Sequence, residues 1–152
     1  MRAEDQFHTG IVVDDFEGSL ATLTKLFGYE WCEEMGAEIP VTLADGVQML
    51  NLRFAYSKTS PRVEIIRPVP GTLWMPAEGS GIHHLGYWSD DVAADASALE
   101  ALGFAREAAG EGEDAVPYWT YHRTATGPRI ELVSRAMQPV MEQYFATGKV
   151  PY

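Results

Sequence analysis

The chain has 152 residues, 46% of them hydrophobic, which is enough for one domain or for two small modules that share a core. Its 22 acidic and 11 basic residues give a formal net charge of -11, which argues against a nucleic-acid or membrane partner because both require a cationic surface. A single cysteine, Cys32, excludes an intrachain disulfide and favours a reducing, cytoplasmic location.

The first half begins with a β-branched stretch, residues 7–13, that predicts a strand. Asp14 and Asp15 follow as candidate N-caps of a helix, and Gly28 supplies the left-handed conformation that ends it. The predicted helix carries one apolar stripe, formed by Phe16, Leu20, Leu23 and Phe27.

Further strands are expected between this helix and a central connector. The predicted strands are 29–34, 39–44, 47–56 and 62–67. The Asp45-Gly46 pair predicts a hairpin turn before the long strand. A stretch rich in proline and glycine, residues 69–81, predicts the connector, and its Trp74 is expected to fold back on the core or on a ligand.

The second half repeats this order of elements. A strand at 82–88 leads to a helix at about 91–102, which Gly103 ends. The remaining predicted strands are 104–108, 117–122 and 129–134, with an exposed acidic loop at 110–114 and a turn at 124–128.

The C-terminal tail predicts one more helix, at about 136–145. Its apolar face is formed by Met137, Val140, Met141, Tyr144 and Phe145. This face predicts a contact with the core or with a second subunit, and the alternative is a flap that covers a ligand.

The two halves also share a sequence motif. Residues 6–15 read Gln-Phe-His-Thr-Gly-Ile-Val-Val-Asp-Asp, and residues 81–91 read Gly-Ile-His-His-Leu-Gly-Tyr-Trp-Ser-Asp-Asp, so that His8 falls on His84. Each half later reaches an apolar run that carries one glutamate, Glu64 or Glu131. Such an internal repeat fixes the architecture before any local pattern does. It predicts an α+β fold of two tandem βαβββ modules, residues 5–68 and 82–135, joined by the connector 69–81 and followed by a C-terminal helix and tail, 136–152.

Four repeated side chains are the candidate metal ligands. Side chains alternate across a strand, so His8 shares a face with Gly10, and His84 shares a face with Gly86 and Trp88. An unpaired glutamate in an apolar strand is costly to bury, and a bound cation removes that cost. The predicted ligands are His8, Glu64, His84 and Glu131. This set of two imidazoles and two carboxylates suits one divalent ion of Mn, Fe, Co, Ni or Zn.

These motifs resemble the vicinal oxygen chelate superfamily. The superfamily includes glyoxalase I, methylmalonyl-CoA epimerase, extradiol dioxygenases, and fosfomycin and bleomycin resistance proteins. The resemblance covers roughly residues 5–135, and the Gly-Ile-His-His-Leu-Gly and Glu-Ile-Ile-Arg-Pro pieces are most similar to the epimerase and glyoxalase I-like branches. It implies a cupped, barrel-like sheet around a divalent metal ion, and a homodimer.

The resemblance also points to a general base and to substrate contacts. In the epimerase branch a glutamate after a Gly-Val pair serves as base, and the matching position here is Met49. We therefore expect Met49, Asn51 and Arg53 on the inward face of their strand, and the candidate bases are Glu131, Glu64 and His122. Arg53 is a candidate partner of a substrate carboxylate or oxyanion. The other candidate lining residues of an apolar pocket are Trp88, Tyr118 and Trp74.

The leading functional hypothesis is a metal-dependent lyase or isomerase/epimerase of the glyoxalase-like type. Such an enzyme polarises a carbonyl group of a small apolar substrate and moves a proton through an enolate. The alternative is a non-catalytic protein that sequesters an apolar drug or metabolite, as bleomycin resistance proteins do. An Fe(II) ring-cleaving dioxygenase is a third hypothesis, which two glutamates disfavour because that chemistry uses three protein ligands.

Overall fold

The structure of the protein is a computed structural model that describes residues 1–111 and 116–151. The strands are β1 Gln6–Val12, β2 Met35–Leu43, β3 Gly46–Tyr56, β4 Val63–Ile66, β5 His84–Ser89, β6 Ala105–Glu111, β7 Pro117–Arg123 and β8 Arg129–Ser134. The helices are α1 Phe16–Phe27, α2 Val92–Ala101 and α3 Gln138–Thr147. Of the predicted acidic loop, residues 110 and 111 belong to β6, and residues 112–114 lie outside the described residues.

The strands close into one barrel, in the order β1-β4-β3-β2-β6-β7-β8-β5. The strand β1 is parallel to β4, and β5 is parallel to β8, whereas the other neighbouring strands are antiparallel. The first half of the chain therefore forms one half of the barrel, and the second half forms the other. The predicted α+β fold with a barrel-like sheet is confirmed.

Two seams join the halves. At the first seam, β1 pairs with β5 so that His8 lies opposite Gly86 and Gly10 lies opposite His84. At the second seam, β2 and β6 share only two residue pairs in the described sheet, Thr42 with Ala109 and Leu43 with Ala108. The seam that carries the candidate ligands is thus the more extensive one.

The helices α1 and α2 each begin after an aspartate that caps them. The Asp15 carboxylate accepts a hydrogen bond from the Gly18 backbone N–H at 3.0 Å, and Gly28 ends α1 with φ of 73°. Asp91 caps α2 in the same way, through the Ala94 backbone N–H at 3.0 Å. The apolar stripe of α1 is shorter than predicted, because Phe27 is exposed while Phe16 is buried.

The strand predictions are least accurate in the first hairpin. Residues 29–34 form no described strand beyond an isolated bridge between Trp31 and Ser57. Instead β2 begins at Met35, because the hairpin with β3 continues for nine residue pairs away from the Asp45-Gly46 turn. A strand with a long antiparallel partner is stabilised by that pairing even where its own sequence is weakly β-forming.

The main core fills the barrel and extends under α3. Met141, Tyr144 and Phe145 are buried, whereas Val140 on the other side of α3 is half exposed. The α3 face therefore packs on the core, as one of the two predictions for this helix states. Within the described residues, no helix is long and apolar enough to span a membrane.

Candidate metal centre

Four buried side chains converge inside the barrel, and they are the four predicted metal ligands. One ligand atom from each of His8, Glu64, His84 and Glu131 lies within 4.8 Å of the others. The His8 and His84 Nε2 atoms are 2.8 Å apart. Glu131 Oε2 is 3.0 Å from His8 Nε2, and Glu64 Oε2 is 3.2 Å from His84 Nε2.

The first seam brings the two histidines together. Each histidine lies opposite the glycine of the other half, so each ring extends over a position without a side chain. A Cβ atom built at Gly10 overlaps the His84 ring, and one built at Gly86 overlaps the His8 ring. The repeated glycines are therefore required by the close approach of the two imidazoles.

The glutamates occupy matching places on the neighbouring parallel strands. Glu64 pairs with Gly10 on β1, and Glu131 pairs with Gly86 on β5. On its other side each glutamate pairs with a buried tyrosine, Tyr56 for Glu64 and Tyr121 for Glu131. The duplication thus supplies a glycine, a glutamate and a tyrosine in the same order twice.

The electrostatics of this cluster favour a cation. Burial disfavours the charged form of His8, but the hydrogen bonds with Glu131 and Glu64 outweigh it and raise the pKa of His8 to about 9. Burial opposes ionisation of both glutamates, while His8 and His84 lower the pKa of each carboxyl below its usual value. Both carboxylates are therefore ionised, and their charge in this buried site is balanced by a protonated imidazole or by a bound cation.

The buried oxygen atoms that lack a hydrogen-bond partner indicate that the cluster binds a ligand at its centre. Glu64 Oε2 and Glu131 Oε2 are buried and have no hydrogen-bond partner among the described residues. Such atoms are costly to bury unless a cation pairs with them. Around a divalent ion with ligands at about 2.0–2.2 Å, neighbouring ligand atoms are roughly 2.8–3.6 Å apart. The distances of 2.8–3.5 Å between the nitrogen and oxygen atoms fit this range.

A further histidine, His83, contacts the nitrogen of the His84 ring that faces away from the cluster. His83 Nδ1 is 3.0 Å from His84 Nδ1, and His83 Nε2 is 2.7 Å from the backbone carbonyl of Leu73 in the connector. Burial lowers the pKa of His83 to about 4, so this imidazole is neutral. His83 thus contacts the backbone of the connector 69–81.

A cavity of about 390 Å³ opens beside the four ligands. The residues that line it are Phe7, Met35, Gly36, Ala37, Ile39, Leu52, Phe54, Tyr56, Glu64, Ile66, Trp74, Tyr118, Trp119, Tyr121, Glu131, Val133, Met137, Met141 and Val150. Trp74 and Tyr118 are among the predicted pocket residues. The lining contains Glu64 and Glu131 but no lysine, arginine or histidine, so the cavity suits an apolar ligand whose polar atoms face the carboxylates.

The predicted inward face of β3 is wrong. Met49, Asn51 and Arg53 are exposed on the outside of the barrel, whereas Leu50 and Leu52 point inward. Arg53 instead bonds the surface carboxylate of Glu34 at 2.6 Å. Side chains alternate along a strand, so placing one of the three outside places all three there. None of these three residues reaches the cavity, and the inner face of β3 offers no carboxylate as a base.

The structure places His122, the third candidate base, away from the cavity and the four predicted ligands. Tyr121 faces the cavity, and the next residue along β7 therefore faces the opposite side, towards α2. His122 is fully buried there, and its nearest charged partner is Glu100 on α2 at 3.6 Å. Trp88 does share the inward face with His84, but it stacks on Phe7 at 3.8 Å and does not line the cavity.

Sequence reasoning missed Tyr56, Tyr121 and His83 as parts of the site. The two tyrosines had a signal in the sequence, because each lies at or near the end of the strand that precedes a glutamate-bearing strand. Both rings stand edge-on to a ligand imidazole, Tyr56 to His8 at 5.2 Å and Tyr121 to His84 at 5.0 Å between ring centroids.

Comparisons with known proteins show which family the sequence matches and which solved structures have a similar fold. The sequence profile of the glyoxalase/bleomycin resistance protein/dioxygenase superfamily matches residues 7–116. A variant of methylmalonyl-CoA epimerase of Streptomyces coelicolor, in complex with 2-nitronate-propionyl-CoA, aligns with a TM-score of 0.60 and 21% identity over 87% of this chain and 97% of its own. Methylmalonyl-CoA epimerase of Mycobacterium tuberculosis aligns with a TM-score of 0.59 and 19% identity over 90% and 91% of the two chains.

A hypothetical protein of Bacillus halodurans has the same fold, with a TM-score of 0.60 and 14% identity over 86% of this chain and 93% of its own. A comparison with curated protein sequences gives no match. At these identities the solved structures establish a shared fold and leave the substrate of this chain open.

Proposed function

Because the chain belongs to the glyoxalase/bleomycin resistance protein/dioxygenase superfamily, we propose that it is a metal-dependent isomerase or lyase that moves a proton next to a carbonyl group. The observation that carries the proposal is the set of four buried ligand atoms at the edge of an apolar cavity, two of which are carboxylate oxygens without a described hydrogen-bond partner. The same four residues, His8, Glu64, His84 and Glu131, would hold the ion. A divalent ion there supplies a Lewis acid that stabilises negative charge on a substrate oxygen.

The cavity wall supports this chemistry by excluding water. Aromatic side chains such as Trp74, Trp119 and Tyr118 surround the approach to the two carboxylates. A low-polarity wall strengthens the electrostatic interactions inside it. The hydroxyl groups of Tyr56 and Tyr121 are the lining groups, beside the carboxylates, that can donate a hydrogen bond to a substrate oxygen.

The base in this proposal is Glu64 or Glu131. Proton abstraction requires an acceptor within hydrogen-bond reach of the substrate, and these are the ionised carboxylates among the described cavity residues. The inner face of β3 carries leucine and aromatic side chains instead. We therefore assign the proton transfer to one of the two metal-ligating carboxylates.

The experiment starts with the metal content of purified protein, for which we expect about one divalent ion per chain. Acyl thioesters belong in the substrate screen because one of the solved structures holds methylmalonyl-CoA, and simple α-dicarbonyl compounds are the other class. In deuterated water, turnover replaces the α-proton of the substrate with deuterium, which proton NMR detects.

The Glu64→Gln and Glu131→Gln variants are expected to lose at least about 100-fold of the exchange rate. The Met49→Ala variant is the matched control, since Met49 lies on the outer face of the barrel and its loss leaves exchange unchanged. A folded protein that binds no divalent ion, as purified or after incubation with Mn²⁺, Co²⁺, Ni²⁺ or Zn²⁺, contradicts the proposal.

One observation favours a second candidate, a binding protein without turnover. The cavity is apolar, and β3 contributes no base to it. Saturable binding of an apolar drug or metabolite that persists in the presence of a chelator, without deuterium exchange in any ligand, supports this candidate over the enzyme.

A further inference from the structure

Two hydrogen bonds connect a predicted metal ligand to the segment between the two halves of the chain. His84 Nδ1 and His83 Nδ1 are 3.0 Å apart, and His83 Nε2 is 2.7 Å from the Leu73 carbonyl oxygen. His83 and His84 are both fully buried. Leu73 precedes Trp74, which lines the cavity.

The chemistry of the acceptor fixes the direction of both bonds. A backbone carbonyl only accepts, so His83 Nε2 carries a proton and donates it to Leu73. A neutral imidazole has one N–H, so His83 Nδ1 is an acceptor and His84 Nδ1 is the donor. His84 then has its lone pair on Nε2, the atom that faces His8, Glu64 and Glu131. A metal ion requires that tautomer.

The first half of the chain has no equivalent device. Phe7 occupies the place in β1 that His83 occupies before β5, and its ring only stands edge-on to His8 at 4.4 Å. His8 Nδ1 is buried and has no hydrogen-bond partner in the described part of the chain. The two halves therefore differ at the residue before the ligand histidine. Among the described residues, only His84 has a hydrogen-bond partner at Nδ1, and His8 has none.

We propose that His83 is a positioning residue, which holds His84 with Nε2 free for a metal ion. The inference rests on the proposed function for the metal ion, but the His83–His84 hydrogen bond does not depend on it. Partners behind a ligating histidine orient its ring and raise its basicity, and their loss typically weakens metal binding about 10- to 100-fold.

Three substitutions separate the two hydrogen bonds. His83→Asn keeps an acceptor oxygen near the Nδ1 position and loses the bond to Leu73. His83→Gln keeps a donor near the Nε2 position and loses the acceptor for His84. His83→Phe removes both and copies the residue that the first half has at position 7. His122→Phe is the matched control, because His122 is also fully buried but faces α2.

The first measurement is the Zn²⁺ dissociation constant of the full chain by competition with a chromophoric chelator. We expect the Phe and Gln variants at position 83 to bind about 10- to 100-fold more weakly, with Asn and the position 122 control close to the unsubstituted protein. Circular dichroism checks folding, and the comparison of Asn with Gln decides the result if the Phe variant does not fold. Equal affinity for all folded variants, or an Asn variant as weak as Gln, overturns the inference.

The second measurement is the scalar coupling between His84 Nδ1 and His83 Nδ1 across the hydrogen bond, by NMR of ¹⁵N-labelled protein with and without Zn²⁺. A protein that binds no divalent ion defeats the proposed function, and this coupling in metal-free protein then decides the inference alone. Its presence supports the assignment, and its absence overturns it.

Discussion

At the scale of single residues, the two imidazole rings lie so close to two glycines that no side chain fits at either glycine position. Gly86 lies opposite His8, and Gly10 lies opposite His84, with no room for a methyl group under either ring. Because both rings are fully buried, neither can move away without disturbing the core.

We therefore expect Gly86→Ala to displace the His8 ring. Metal affinity should fall about 10- to 100-fold, and the free energy of unfolding by roughly 1–3 kcal/mol from overpacking. Titration with Mn²⁺ and urea denaturation measure the two effects. Gly36→Ala is the control for overpacking, because its added methyl group meets the Arg53 side chain and the Leu52 carbonyl oxygen but neither histidine ring. Wild-type affinity in the Gly86 variant would contradict the assignment.

The four ligands could be predicted from the sequence because the internal repeat identifies the residues, and the alternation of side chains along a strand predicts which side of the sheet they face. The same alternation would have corrected the prediction for β3, since Asn51 and Arg53 are polar and Leu50 and Leu52 are not. The match of Met49 to the family's base position indicates the opposite face, but Met49 is exposed on the outside of the barrel. His122 offered no such signal, because β7 is buried on both faces, by the cavity on one side and by α2 on the other.

At the scale of secondary-structure elements, an ion-pair network joins α1, β3 and the end of β4. Glu34 accepts hydrogen bonds from Arg67 Nε at 2.8 Å and from Arg53 Nε at 2.6 Å. Arg67 also pairs with Glu17 on α1 and covers the Phe16 ring at 4.1 Å. Arg67 and Arg53 lower the pKa of Glu34 from 4.5 to about 2.

This shift gives a pH-dependent contribution to stability. A carboxyl whose pKa is lower in the folded than in the unfolded state stabilises the fold above its unfolded pKa and loses that effect as the pH falls towards its folded pKa. Glu34→Gln should lower the free energy of unfolding by roughly 1 kcal/mol at pH 7, a small value because the network is partly exposed.

Urea denaturation of both proteins from pH 7 to pH 2 tests this contribution. The difference should persist down to about pH 4.5 and shrink as the pH approaches 2. Glu38→Gln serves as the control, since Glu38 is exposed on β2 and forms no ion pair with a described residue. A difference that is constant with pH would exclude the ion pairs as its source.

The helix α3 covers the barrel beside the cavity, and the buried face of the helix packs against the barrel. The Phe145 ring packs against Tyr56 at 5.4 Å and beneath the Arg62 guanidinium at 3.7 Å. We expect Phe145→Ala to cost about 3 kcal/mol of unfolding free energy, as for other buried aromatic truncations. Val140→Ala on the exposed side of the same helix should change it by less than about 0.5 kcal/mol. Thermal or urea unfolding compares them, and equal effects would contradict the packing.

The predicted bounds of helices and strands agree with the structure where neighbouring residues in the sequence determine them. They disagree where pairing with a distant strand determines them. Asp15 and Gly28 mark both ends of α1 through caps that involve neighbouring residues. In contrast, the full extent of β2 depends on nine cross-strand pairs with β3, and no pattern within Met35–Leu43 encodes that partner. Residues 29–34 have the composition of a strand but lack one to pair with.

At the scale of the whole molecule, the barrel closes through two unequal seams. The β2–β6 seam has two described residue pairs, whereas β1–β5 has four and carries both histidines. The repeat predicted two modules, but closure also depends on which edge strands meet, and that is a non-local property absent from either half. The family resemblance supplied it instead.

We expect the β2–β6 seam to open first. Local opening is easiest where few cross-strand contacts must break. Amide hydrogen exchange followed by NMR should show faster exchange for the amides that are hydrogen-bonded between β2 and β6 than for those that are hydrogen-bonded between β1 and β5. Addition of Zn²⁺ should slow exchange at β1–β5 more than at β2–β6. Equal protection of both seams would contradict this order.

The reciprocal fit of glycine under histidine has a consequence for how the two copies can diverge. A larger residue at position 10 is tolerated only if the ring at position 84 shrinks, and position 84 belongs to the other copy. Ancestral duplicates usually drift independently, but these two positions are inherited as a linked pair across the fusion. Homologous sequences that gain a side chain at either glycine should therefore have lost the imidazole of the opposite copy, and with it one of the four predicted metal ligands.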